Sequence, residues 1–366
     1  MKAGILHQVG SPLVIEEIPE PMPRQGEVLV KIAACGVCHS DLHVMKGELG
    51  FPLPAVLGHE ISGTVAAVGA NVWHVAPGDR VVGTFIMACG RCPQCARGRD
   101  DLCETFFSLN RLKGVLYDGE TRLHRADGTP LAMYSMGGLA EYAVLPGTAV
   151  FPLPDVVDLH DACILGCAIP TAYGAVRHQG EVLPGQSVAV IGVGGVGSNI
   201  IQVARLFGAS PVIAVDIKDD KLEAAQELGA TGIVNAALGD PVAAVRDLTG
   251  GLGVDVAFEA LGRAETVLTA YNVVREGGRV VVVGLAPGSE AVPSEITRLV
   301  RRSITLKGSY GGRMRSDLPV LTGLVARGQI STSRLITQRF KLEDAPAAYA
   351  ALDQGKITGR AIVTMT

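Results

Sequence analysis

The chain has 366 residues, 48% of them hydrophobic and 19% charged, with a net charge of -4. That is length enough for two ordinary domains and too much apolar content for a disordered chain. Lys and Arg number 32 against 36 Asp and Glu, so the basic excess of a nucleic-acid binder is missing, and no apolar run approaches the ~20 residues of a membrane span. The start at Met1-Lys2 has no export signal, which predicts a cytoplasmic protein. The 46 glycines are well above the usual ~7%, and with only 4% aromatics they point to tight turns and close backbone approach to a ligand.

In chain order, Val28–Ala34, Ile61–Val68, Arg80–Gly83 and Ala140–Leu145 read as short strands. Turn signals such as Pro77-Gly78-Asp79 separate them, as in an all-β domain or barrel. The rhythm changes near residue 170. Ser187–Ile191 is a continuous apolar strand followed by a glycine-rich turn and a helical pattern to about Phe207. Pro211–Val215 is the next strand and Lys218–Leu228 the next helix, with further apolar strands at Val254–Phe258 and Arg279–Val283. Strands of this kind alternating with helices predict a parallel sheet covered on both faces. The C-terminal segment returns to a mixed pattern and ends in the strand-like Ala361-Ile362-Val363.

The glycine-rich turn carries G-x-G-x-x-G as Gly192, Gly194 and Gly197, with Gly195 and Val196 between. Gly192 would make the sharp exit from the strand, Gly194 would let a pyrophosphate approach the backbone, and Gly197 would let the helix pack on the sheet. The helix amino end then offers free N–H groups to the phosphates. Asp216, 19 residues beyond Gly197, stands where a carboxylate accepts hydrogen bonds from the adenosine ribose and repels a 2′-phosphate, favouring NAD over NADP. Lys218 and Lys221 are nearby cations that moderate this preference. The bland alternative is a tight turn followed by a surface aspartate.

The eight cysteines lack the short, exported context of a disulfide scaffold, so the clustered ones read as metal ligands. Cys89, Cys92, Cys95 and Cys103 supply four thiolates within one short loop, the ligand set of a closed, structural zinc site. An iron–sulfur cluster is the competing reading. A nucleic-acid zinc knuckle fits poorly, because the loop mixes Arg91, Arg97 and Arg99 with Asp100, Asp101 and Glu104 and lacks interleaved aromatics. A second constellation is dispersed: Cys38, His59 and Cys167. Two thiolates and an imidazole leave one tetrahedral position open, as in a catalytic zinc site, but buried Cys and His are also ordinary core residues.

These segments together resemble the zinc-dependent alcohol dehydrogenase family of medium-chain dehydrogenases. The resemblance runs nearly end to end, through G-V-C-H-S-D at 36–41, G-H-E at 58–60, the cysteines at 89–103, L-G-C at 165–167 and G-V-G-G-V-G at 192–197. It implies an α/β protein: a GroES-like β-barrel catalytic domain over residues 1–168 and 310–366, and a doubly wound parallel-sheet Rossmann domain over 169–309. It implies two zinc ions per subunit, one held by Cys38, His59 and Cys167 and one by the four-cysteine loop, with NAD+/NADH as coenzyme.

The implied reaction is reversible oxidation of a primary or secondary alcohol, with hydride transfer to nicotinamide. Zinc with an open position is a Lewis acid that makes an alcohol easier to deprotonate. On the family pattern Ser40 accepts the alcohol proton and His43 releases it, a task suited to an imidazole near neutral pH. Asp41 resembles the carboxylate that orients the metal histidine, and Glu60 the acidic residue behind the zinc. His39 stands where many relatives place arginine near the coenzyme pyrophosphate, and its partial charge predicts weaker coenzyme binding and faster release. Arg360 matches a family arginine that contacts the pyrophosphate, while Thr171 and Val196 match positions lining the nicotinamide.

Cys35 and Cys163 lie close to proposed ligands but are packing residues on this pattern. Leu49 and Phe107 stand where relatives acting on the glutathione adduct of formaldehyde carry charged anchors, which argues for a plain, rather hydrophobic alcohol. Residues 110–138 form an insertion, and Phe106, Phe107 and Met133 are candidates for the substrate entrance. Relatives are dimers or tetramers, with the sheet edge near 285–310 as the usual dimer contact; the expected partners are otherwise small molecules, with no nucleic acid and no membrane. A zinc-free quinone or enone reductase on the same fold is the main alternative enzyme, and Cys38, His59, Cys167 and Asp216 count against it. A non-enzymatic zinc scaffold would leave the coenzyme motif and the Ser40–His43 pair unexplained.

Overall fold

The computed structural model describes the whole chain except Pro287, Ser289, Pro293, Ser294 and Thr366. It divides into two compact units, one formed by Met1–Pro170 with Arg313–Thr366 and the other by Thr171–Gly312.

The first unit is built from two β-sheets. One is five-stranded, in the order Val14–Glu17, Lys2–Leu6, Ala55–Val56, Pro130–Met133, Leu123–His124. The other is centred on the long strand Glu27–Val37, which pairs antiparallel with Ile61–Val68 on one side. On its other side it pairs with Tyr142–Pro146 along its first half and with Arg360–Thr364 along its last residues. Val28, Leu29, Val30, Ile32 and Ala34 are all buried, and Lys31 is the exposed residue of the strand; its pairing with Ile61–Val68 carries two irregularities, where the strand bends. The barrel expected from the sequence is present as two open sheets that meet at the bridge Ala3 to Ala140, with Gly4 N–H donating to Leu139 O at 2.7 Å and Glu141 N–H to Lys2 O at 3.1 Å.

The insertion over 110–138 is part of this packing. Its strands Leu123–His124 and Pro130–Met133 extend the five-stranded sheet. Arg122, at its centre, is buried and holds Glu27 of the long strand with bonds of 2.9 and 2.5 Å. Met133 and Phe106 are fully buried, so they act as core residues rather than as an entrance; Met133 pairs in the sheet opposite Val56. Phe107 is half-buried, its ring edge-on to Phe106 at 5.3 Å. Arg122 also reaches the part-exposed Asp118 at 2.6 Å, but Glu27 is its buried, two-bond partner, and removing the buried partner of a buried charge is costly. Glu27→Ala is therefore expected to lower stability by about 3 kcal/mol, read from the denaturant midpoint; a change below about 0.5 kcal/mol, the size of an ordinary surface substitution, would show that the insertion is not anchored there.

The second unit contains one parallel six-stranded sheet in the order Gly232–Asn235, Val212–Asp216, Val188–Ile191, Val254–Glu259, Val274–Val282, Thr305–Gly308. The central strands are buried along their full length, as continuous apolar runs require when helices cover both faces. The strand order reverses beside Val188–Ile191, the place where doubly wound sheets bind ligands beyond the strands' carboxyl ends. At the outer edge the helix Ile296–Arg301 has no buried residue, with Ile296 and Val300 exposed, and Leu306 on the last strand is also exposed. Part of the predicted contact region near 285–310 lies outside the described residues.

Candidate active site

Three adjacent strands deliver the dispersed residues to one place. Val37 pairs with Ala361 and Cys35 with Ile61. The residues just beyond those pairs are Cys38, Arg360 and the His59–Glu60 dipeptide. Cys38 precedes the short helix α1, His39–Met45, and Cys167 follows the turn Asp161–Gly166. The donor atoms of Cys38, His59, Glu60 and Cys167 lie within 4.8 Å of one another, and all four residues are buried.

Hydrogen bonds orient the imidazole. His59 Nδ1 lies 3.1 Å from Asp41 Oδ1, and that oxygen also accepts the Gly58 N–H at 2.9 Å. His59 Nε2 is buried without a hydrogen-bond partner among the described residues. A buried polar nitrogen is seldom left unsatisfied, and this one belongs to the same close group as two thiols, so the donor set fits zinc. Burial lowers the His59 pKa, but the Asp41 carboxylate and Cys38 outweigh it and raise it to about 9. The Cys167 thiol foremost, then His59 and Arg360, hold the Cys38 thiol well below its ordinary range against the effect of burial. Metal entry would therefore find a thiolate in place and displace a proton from His59. Cys35 and Cys163 are fully buried, and burial pushes both thiols well up, which suits packing residues.

The other residues read from the sequence fall around this group. Ser40 is half-buried on the first turn of α1, its Oγ 3.8 Å from Cys38 Sγ. His43 lies three residues on, so the two share a helix face, and its Nδ1 pairs with Glu48. His39 is exposed at the helix start. Arg360 is buried and its guanidinium bonds Glu60 Oε1, a partner the sequence did not indicate. Leu49 is half-buried. Sequence reasoning also missed an aromatic wall: the Tyr134 and Phe85 rings stand edge-on to His59 at 5.4 and 6.0 Å. Phe51 packs on Tyr134 at 5.1 Å, and the Arg111 guanidinium lies 4.4 Å from the Tyr134 ring centre.

The four-cysteine loop is equally ordered. Cys89, Cys92, Cys95 and Cys103 bring their sulfurs within 4.8 Å of one another. Backbone N–H groups of Cys89 and Phe106 point at Cys103 Sγ at 3.2 and 3.4 Å, and that of Cys92 at Cys89 Sγ at 3.3 Å. Burial raises the Cys89 thiol, but the Thr105 side chain and the N–H groups of Arg91 and Cys92 bring it down to about 6. Arg315, distant in sequence, ties the loop down. It donates to Asp100 Oδ1 at 2.9 and 2.7 Å and to Cys95 O at 2.7 Å.

In the second unit the glycine-rich turn opens the helix α2, Gly195–Leu206, whose N-cap Gly194 makes no side-chain cap bond. Gly192 has φ +88, and a Cβ at Gly197 would lie 1.9 Å from Gly192 O, so both positions require glycine. Nothing lies within 4 Å of a Cβ placed at Gly194, which leaves that backbone open to a ligand. Val196 is half-buried on the first turn of α2. Asp216 ends its strand and is buried, accepting the N–H groups of Val193 at 3.0 Å and Ile217 at 2.8 Å. Lys221 is half-buried, and Thr171 is buried with Oγ1 unpartnered among the described residues.

Comparison with known proteins fits this geometry. Two family profiles match: alcohol dehydrogenase GroES-like domain over residues 24–155 and zinc-binding dehydrogenase over residues 195–327. The NDMA-dependent alcohol dehydrogenase of Amycolatopsis methanolica is 37% identical over 97% of this chain and 96% of its own length. The chain belongs to the zinc-dependent alcohol dehydrogenase family. Among solved structures in this family, benzyl alcohol dehydrogenase from Acinetobacter calcoaceticus aligns with TM-score 0.93 at 30% identity, covering 100% of this chain and 99% of that one. A zinc-binding alcohol dehydrogenase domain protein from Burkholderia ambifaria aligns with TM-score 0.93 at 36% identity, covering 100% and 98%. Among the described residues of this alcohol dehydrogenase chain, no helix is long and apolar enough to cross a membrane.

Proposed function

We propose that this alcohol dehydrogenase oxidises a primary or secondary alcohol reversibly, with NAD+ as hydride acceptor and one catalytic and one structural zinc per subunit. The buried group Cys38, His59 and Cys167, with His59 Nε2 lacking a protein partner, carries this reading. Zinc held there would supply Lewis acidity toward the alcohol oxygen, and nicotinamide would take the hydride. Cys38 and Cys167 offset the ion's charge, so a neutral alcohol or carbonyl can still bind. Ser40 Oγ takes the alcohol proton, and His43, on the same face of α1, passes it toward solvent. Asp41 fixes the His59 tautomer through Nδ1. Glu60, held by Arg360, would assist ligand exchange when zinc is bound to the group it shares with Cys38, His59 and Cys167. The rings of Phe51, Phe85 and Tyr134 favour an apolar alcohol.

The coenzyme assignment rests on Asp216. Gly192, Gly194, Gly195, Val196 and Gly197 would receive the pyrophosphate at the start of α2, and Thr171 would line the nicotinamide. Lys221 lies near the adenosine end. On this reading His39 holds the pyrophosphate less firmly than an arginine would, and Arg360, whose guanidinium also bonds Glu60, is the second cation toward it. The exposed edge at Ile296, Val300 and Leu306 is the surface by which the chain forms a dimer or the dimers of a tetramer.

Alcohol oxidation assayed separately with NAD+, NADP+ and NDMA as acceptor tests the reading. NAD+ without NDMA is expected to support turnover, and faster than NADP+ does; a protein that reduces neither nucleotide would refute it. Asp216→Asn, which keeps the shape and removes the charge, is expected to raise the KM for NAD+ about tenfold, the worth of one charge-assisted hydrogen bond, and to narrow the gap to NADP+. An unchanged coenzyme ratio would remove Asp216 from the account.

A further inference from the structure

We propose that Tyr349 is a positioning residue for the zinc site, acting on His59 through Asp41. This rests on reading Cys38, His59 and Cys167 as zinc ligands. Tyr349 lies on the helix α3, Ala345–Asp353, and is 1% exposed. Its hydroxyl donates to Asp41 Oδ2 at 2.9 Å. The other oxygen, Oδ1, serves the Gly58 N–H and His59 Nδ1. Asp41 is fully buried, so solvent cannot satisfy an oxygen that loses its donor.

The geometry explains why Oδ2 matters. Bonds at Oδ1 alone leave the carboxylate free to pivot about that atom. A second anchor at Oδ2 fixes its plane, and with it the line from Oδ1 to Nδ1 that sets the imidazole's rotation. His59 Nε2 is then aimed at the two thiols. The anchor is itself held, since Tyr349, Leu352, Ala345 and Ala348 of α3 are all buried, and an exposed ion pair joins Asp353 to Lys46, the residue after α1. Burial, followed by the Asp41 carboxylate, pushes the Tyr349 phenol well above its ordinary range, so it stays a donor. A contact that spans 308 positions leaves no local signal in the sequence.

The test is Tyr349→Phe in the full-length, zinc-loaded enzyme, which keeps the ring and removes only the hydroxyl. Partners behind a metal histidine typically change metal affinity 10–100-fold. Loss of the catalytic zinc to a chelator is therefore expected to be about tenfold faster, while the four-cysteine zinc leaves at the wild-type rate and reports an intact fold. With cobalt in the catalytic site, the visible ligand-field bands are expected to shift. In an Asp41→Asn background the Tyr349→Phe change is expected to add little, as two members of one path are not additive. If Tyr349→Phe does not fold, Asp41→Asn alone is expected to show the same selective zinc loss and band shift. Wild-type zinc release and unchanged cobalt bands, even with a lower melting temperature, would reduce Tyr349 to a packing residue. A wild-type protein with no zinc at Cys38, His59 and Cys167 would overturn both this proposal and the reading beneath it.

Discussion

His59→Ala is expected to lower alcohol-dependent NADH formation by about 10³-fold or more. A Lewis-acid metal supplies several kcal/mol toward the transition state, and each 1.36 kcal/mol is about tenfold in rate. The substitution removes the one nitrogen in the group and leaves, among the described residues, Cys38 and Cys167 as two buried sulfurs with Glu60, which already holds Arg360, as the third donor. The zinc content is expected to fall from two ions per chain to one. The remaining ion belongs to the loop of Cys89, Cys92, Cys95 and Cys103, which shares no residue with the first group. Activity above about a tenth of wild type, with zinc still at two per chain, would mean that His59 is only a core histidine.

Cys103→Ala is expected to act on stability instead. Cys103 is fully buried and its sulfur receives two backbone N–H groups, so its loss breaks both the ligand set and the turn that presents it. Structural zinc contributes roughly 10–16 kcal/mol in small zinc domains. With three ligands left, a loss of about 4 kcal/mol or more is expected, in the range reserved for a lost metal or a broken core. The denaturant midpoint and zinc content measure it. The Arg315 clamp on Asp100 and Cys95 O is expected to keep the loop attached, so that activity falls through unfolding rather than through a lower turnover of the folded fraction. An unchanged midpoint with zinc retained would show that Cys103 is not a ligand.

Legibility in the sequence followed locality. The glycine-rich turn and the four-cysteine loop each occupy one short segment, and their spacing carries the chemistry directly. The strands Val188–Ile191 and Val212–Asp216 emerged within a residue or so of where their apolar runs lie, because a buried parallel strand leaves no polar interruption. The dispersed group was different. Cys38, His59 and Cys167 are ordinary core residues by composition, and only the resemblance joined them. Strand pairing brings them together in space, through register that a single sequence does not state.

The contacts that sequence reasoning missed or placed differently all span long separations. The resemblance implies a coenzyme contact for Arg360 and says nothing of its bond to Glu60, 300 positions away, which its strand beside Glu27–Val37 brings about. Arg315 reaches Asp100 over 215 positions. Met133 looked like an entrance residue because its hydrophobic character says nothing of depth; its place in the five-stranded sheet puts it in the core.

The proposed activity and stability of this chain turn on one open and one closed zinc site. Zinc-edge anomalous diffraction from crystals of the full-length protein is expected to show two peaks per chain, one among Cys38, His59 and Cys167 and one among Cys89, Cys92, Cys95 and Cys103. A peak at the four-cysteine loop alone, from protein that is active in alcohol oxidation, would rule out the open site.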